Sequence, residues 1–169
     1  MAAEIILVGL GSNLPSADFG SPMAICQAAI EALRAEGLPI ARQSRWYRSA
    51  PVPPSDQPWY VNGVVALERA PDPDMLLALL HRIEARFGRV RGAPNASRVL
   101  DLDLLAYGER IAAGGDGSPI LPHPRLHLRA FVLHPLSEVA PGWRHPRLGR
   151  SVAAMLRGLP GGQSAEAMG

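Results

Sequence analysis

Apolar and polar positions alternate along this chain with two periods. Residues 5–9 form a short continuous apolar run that predicts a central strand leaving through a turn at Gly9-Leu10-Gly11-Ser12-Asn13-Leu14. Ile25, Cys26, Ala29, Ile30 and Leu33 make a helical stripe, opened by Ser21-Pro22 as cap and first-turn proline and closed by Gly37. Residues 40–47 and 59–67 read as two further strands, separated by a proline-rich stretch that excludes both helix and central strand. Asp72-Pro73 repeats the cap signal, and Met75, Leu76, Leu79, Leu80, Ile83 and Phe87 predict a helix ending at Gly88.

The alternation is sharpest at Arg98-Val99-Leu100-Asp101-Leu102-Asp103-Leu104-Leu105. In a strand, Leu100, Leu102 and Leu104 share one face, and Asp101 and Asp103 stand together on the other. Two adjacent carboxylates repel unless a cation joins them, and Mg²⁺ is the hard, oxygen-seeking ion that suits two Asp. The pair is thus either a metal site or the wet face of a half-buried strand, which shows the same alternation.

The order strand, helix, strand, strand, helix, strand predicts an α+β, ferredoxin-like βαββαβ core: an antiparallel sheet with both helices on one face and the opposite face open for a site. Extra C-terminal elements follow: a glycine-rich turn at 114–117, a short helix from Arg129 through Leu133, and one capped by Ser151 over 152–156. Residues 1–157 read as a single domain and 158–169 as a flexible tail.

Composition changes little in this picture. The 169 residues suit one domain, and the net charge of +2 from 17 cations against 15 anions is mild. There is no lysine, so the cations are all arginine, which favours bidentate contact with phosphate or carboxylate. The single Cys26 forbids an internal disulfide and reads as a buried small residue. With no basic leader and no apolar run of membrane-spanning length, a cytoplasmic monomer is expected, without nucleic-acid or membrane partners.

Further chemistry is suggested by position. Tyr60 and Asn62 share a strand face, where an aromatic and an amide can hold a flat heterocycle; the same pair can be purely structural. Leu77, His81 and Glu84 are stacked on one helix flank and either line a pocket or meet solvent. The basic loop of residues 89–98 leads into the Asp strand, where its cations could fold over metal-gathered phosphates.

In order along the chain, Gly11-Ser12-Asn13-Leu14, Asp56-Gln57-Pro58-Trp59-Tyr60-Val61-Asn62, Arg82-Ile83-Glu84, Gly88-Arg89-Val90-Arg91, Arg98-Val99-Leu100-Asp101-Leu102-Asp103, Pro122-His123 and Arg129-Ala130-Phe131 resemble the 6-hydroxymethyl-7,8-dihydropterin pyrophosphokinase family of folate biosynthesis. The resemblance implies Mg-dependent transfer of diphosphate from ATP to the pterin hydroxymethyl group, with release of AMP. It implies two Mg²⁺ ions on Asp101 and Asp103, and a pterin held by Tyr60, Phe131 and Asn62 with Ser49, Ala50 and Val52. It turns Leu77, His81, Glu84 and Leu104 toward ATP, sets Arg89, Arg91, Arg98, His123 and Arg129 on phosphate oxygens, and gives Arg89 and Arg98 a catalytic part. Residues 95–97 depart from the family pattern in lacking its Trp-Gly-Pro. Two alternatives remain: a relative that binds pterin or nucleotide without transfer, and a ferredoxin-like RNA-binding module, against which the two Asp argue.

Overall fold

The structure is a computed structural model that describes residues 4–51, 53–88 and 99–168. Both amphipathic helices form where the caps stand. Helix α1, Pro22–Ala35, starts where the Ser21 hydroxyl accepts from the Ala24 amide, and α2, Pro73–Arg86, where the Asp72 carboxylate accepts from that of Met75. Gly37 and Gly88 end them at φ of 82° and 86°, in the left-handed region where glycine alone is unstrained. Both apolar stripes are buried, except that Met75, expected within the second, is 61% exposed because it lies in the first turn, off the sheet-facing side. Cys26 is buried, and burial pushes its thiol up to about 12, so it stays protonated.

The main sheet is antiparallel, in the order β5 (Asp101–Tyr107), β1 (Ile6–Ser12), β4 (Tyr60–Leu67), β3 (Tyr47–Ser49) and β8 (Ala165–Ala167). The single strand expected over 40–47 is two: β2 (Ile40–Gln43) and β3 both pair with β4. Between them the Ser44 hydroxyl accepts from the Val64 amide, so a side chain completes the ladder where the backbone breaks. The strand also runs through Gly9 and Gly11 to Ser12, where a turn was expected. A separate hairpin, β6 (Ala112–Gly115) with β7 (Ser118–Leu121), accounts for the glycine-rich turn.

One face of the sheet carries Ile6, Val8, Leu10, Val65, Leu67, Leu100, Leu102 and Leu104, packed against α1 and α2 in a continuous core. The other face is open at one end only. Helix α3, Ala130–Val139, and α4, Val152–Arg157, cover its second half, where Leu7, Val64, Ala66 and Leu105 meet Val132, Leu133, Leu136, Trp143 and Met155. The expected end at Leu133 is passed because Pro135, Leu136 and Val139 are all buried, which outweighs the one backbone donor that Pro135 removes. Ser151 caps α4 as its position suggested. The last segment does not simply trail: β8 adds to the edge of β3. Among the described residues no helix is long and apolar enough to cross a membrane.

Candidate active site

The uncovered end of the sheet is built from residues facing one another across strands. Asp101 on β5 lies opposite Gly11 on β1, which lies opposite Asn62 on β4; one step along, Asp103, Gly9 and Val64 make the next row. Directly opposed residues have Cβ atoms about 5 Å apart, so side chains on β1 would fill this space. Gly9 and Gly11 leave it flat. A Cβ on Gly11 would come within 3.0 Å of the Asn62 amide nitrogen, and one on Gly9 within 3.4 Å of Leu105. The result is a cavity of about 340 Å³ with a glycine floor, bordered by both Asp, Tyr60, Asn62, His123, Arg125, Arg129, Phe131 and the loop residues Ala50, Pro51 and Pro53.

A bulge in β5 places the far wall. Leu7 pairs with Ala106 and Val8 with Leu104, leaving Leu105 as the extra residue. Its carbonyl accepts from the His123 amide at 2.9 Å, which seats the segment after β7 beside the two Asp. His123 Nδ1 accepts from the Arg125 amide at 3.1 Å. Burial, with the nearby Arg129 charge, lowers the imidazole from its usual 6.5 to about 4 despite Asp101, so at neutral pH it is uncharged and its remaining N–H, on Nε2, is a donor. Arg129 lies with its guanidinium 5.3 Å from the centre of the Phe131 ring.

On the near wall, the buried Ser49 hydroxyl donates to Asn62 Oδ1, which fixes the amide and leaves its NH₂ as a donor. Asn13, almost wholly buried at the end of β1, donates from Nδ2 to Gln57 Oε1 and to the Pro58 carbonyl, both at 3.2 Å, tying the proline-rich loop to the floor.

The structure therefore brings Asp101, Asp103, Ala50, Tyr60, Asn62, His123, Arg129 and Phe131 to one cavity, with Ser49 behind it. Helix α2 stands apart, along the outer edge of β5. Glu84 is buried there, and its carboxylate accepts from the Leu102 amide at 2.7 Å, a donor that β5 cannot satisfy on the side away from β1. Leu77 is half-buried and His81 exposed on the same helix. The Leu104 side chain, expected to face ATP, is instead packed in the helix-side core, because it shares the strand face of Leu100 and Leu102. Val52, Arg89, Arg91 and Arg98 lie outside the described residues.

Two carboxylates with intermediate exposure on one strand face suit Mg²⁺, which keeps water and substrate phosphates as its other ligands and needs no all-protein cage. No group of three metal-ligating side chains occurs among the described residues. Sequence reasoning missed the glycine floor, the Asn13 tether and the Leu105 bulge. Only the first left a signal, two glycines at alternate positions of an apolar strand, which marks a close approach to its surface.

A family model described as 7,8-dihydro-6-hydroxymethylpterin-pyrophosphokinase (HPPK) matches residues 7–141. The 2-amino-4-hydroxy-6-hydroxymethyldihydropteridine pyrophosphokinase of Synechocystis sp. is 39% identical over 150 residues, covering 89% of this chain and 73% of that protein. Its namesake from Pseudomonas aeruginosa is 41% identical over 160 residues, covering 92% and 91%. Among solved structures, wild-type HPPK-DHPS of Plasmodium falciparum aligns with a TM-score of 0.66 at 12% identity, over 93% of this chain and 45% of that one. This chain thus spans less than half of that larger chain, and the likeness speaks for the fold alone.

Proposed function

Since the chain belongs to the 7,8-dihydro-6-hydroxymethylpterin-pyrophosphokinase family, we propose that it transfers the terminal diphosphate of ATP to the hydroxymethyl group of 6-hydroxymethyl-7,8-dihydropterin in folate biosynthesis. The observation that carries this reading is the single cavity in which an aromatic and amide wall faces two carboxylates across a glycine floor.

In the reaction the pterin hydroxyl oxygen bonds to the β-phosphorus of ATP, the bond between that phosphorus and the α-bridging oxygen breaks, and AMP leaves while the hydroxyl proton passes to solvent. Phosphoryl transfer of this kind depends on alignment and charge neutralisation more than on covalent help. Tyr60 and Phe131 hold the ring between them, and the Asn62 NH₂, oriented by Ser49, reads its polar edge. Asp101 and Asp103 would hold the two Mg²⁺ ions, which when bound would supply neutralisation of the phosphate charge. His123 donates Nε2–H and Arg129 its guanidinium to phosphate oxygens, and both sit beside the Asp pair. Arg89, Arg91 and Arg98 add positive charge over the diphosphate, with Arg89 and Arg98 taking the catalytic part. ATP extends past the β5 edge toward Leu77, His81 and Glu84. It acts as a monomer on two water-soluble substrates, which suits the cytoplasm.

The test is AMP release from ATP and Mg²⁺ with and without the hydroxymethyl pterin. Pterin-dependent AMP is expected; binding of both substrates without AMP would instead favour a relative that has lost transfer.

A further inference from the structure

Helix α3 begins without a local cap. Arg129 occupies the capping position, but its side chain makes no capping bond, and no acidic residue stands in the first turn. A cation at a helix N-terminus opposes the helix dipole. The positions that would normally stabilise the helix start are taken by groups that face the pocket, Arg129 and Phe131.

The missing cap comes from the far end of the chain. Gln163 Oε1 accepts from the Ala130 amide at 2.8 Å, and Gln163 Nε2 donates to the Leu128 carbonyl at 2.8 Å. One amide side chain thereby satisfies backbone groups on both sides of Arg129. Two residues further on, β8 pairs with β3, with Ala165 opposite Ser49, the residue that orients Asn62. Without β8 the three-residue β3 would be an edge strand held by β4 alone. The segment thus touches the Phe131 wall through Gln163 and the Asn62 wall through Ala165, and it lies beyond the residues matched by the family model.

We propose that residues 158–168 are a strap that sets the spacing of the two walls of the pterin pocket, with Gln163 as its positioning residue. The proposal rests on the pyrophosphokinase reading. Gln163 is only half-buried, and the thermal midpoint of each variant checks that the fold is retained.

The test compares the full chain, Gln163→Ala, Gln163→Glu and a chain ending at Leu159, by steady-state kinetics in both substrates and by equilibrium pterin binding without ATP. Gln163→Ala should raise the KM and Kd for pterin roughly threefold to tenfold, the range expected from losing one or two hydrogen bonds, while kcat and the KM for ATP stay within about twofold. The shortened chain should lose more, and Gln163→Glu, which keeps the acceptor for the Ala130 amide, should recover part of the affinity. Pterin affinity unchanged in both Gln163→Ala and the shortened chain, or an equal rise in both KM values, would overturn the strap. A full-length chain that binds no pterin and releases no AMP would overturn the underlying reading instead.

Discussion

The two faces of the sheet obey different rules. The helix-side face is filled at every second position by a large apolar residue, and no distant partner is needed to predict it: Val8, Leu10, Leu100 and Leu102 read out directly as period two. The site face carries glycine where packing would demand bulk, carboxylates where burial would demand hydrocarbon, and a helix whose start is occupied by arginine. The helix-side face is packed along its length, whereas the other face is packed at one end and carries the chemistry at the other, and local rules fail where the chemistry lies.

That contrast predicts opposite outcomes for substitutions a few ångströms apart. The largest effect is expected for Asp101→Ala or Asp103→Ala: diphosphate transfer should fall by about a thousandfold or more, as for loss of a main charge-stabilising group, with little change in thermal midpoint. Near-normal turnover at saturating Mg²⁺ would remove the metal assignment. On the other face, Leu80→Ala should lower unfolding free energy by about 2–5 kcal/mol through the cavity it leaves, with kcat per folded molecule unchanged. Denaturant titration and turnover on the same sample separate the two cases; a variant that kept its stability but lost kcat would blur the division of labour.

Gly11→Ala should act between these extremes. The added Cβ meets the Asn62 amide at 3.0 Å, so pterin KM should rise roughly tenfold, equivalent to disturbing one hydrogen bond, while the KM for ATP holds. An equal rise for both substrates would mean that the floor is merely structural.

The smallest effect concerns pH. His123 titrates near 6.5 when unfolded and at about 4 when folded, so between those values the unfolded chain binds the extra proton. Its contribution to stability is whole above 6.5 and declines as pH falls toward 4. His145, also lowered by burial, adds in the same direction. Midpoints of denaturation measured across this window should fall with pH, and His123→Asn should flatten the slope; an unaltered slope would place the titration elsewhere.

How much was legible in the sequence follows the same division. Both long helices were, because Ser21, Asp72, Gly37 and Gly88 act within four residues of the ends they define. The face of Asp101 and Asp103 was legible for the same reason, since strand alternation is local. The break at Ser44, the bulge at Leu105 and the return of β8 were not, because each is fixed by a partner distant in the chain: the Val64 amide, the His123 amide and the β3 edge. Leu104 was assigned to ATP although its own alternation with Leu102 puts it in the core. Among the site residues, Tyr60, Asn62, His123, Arg129 and Phe131 converge on one cavity, yet their meeting depends on the β5 bulge, which local pattern could not reveal, and on α3, of which the sequence indicated only the part up to Leu133.

The central claim is that the site moves two phosphoryl groups at once onto a pterin seated beside the Asp pair. It is tested most directly by mass spectrometry of the pterin product formed from ATP labelled at both the β- and γ-phosphates. The account predicts a pterin diphosphate carrying both labels, with unlabelled AMP as the other product. A pterin monophosphate with ADP, or free labelled pyrophosphate with unmodified pterin, would contradict it.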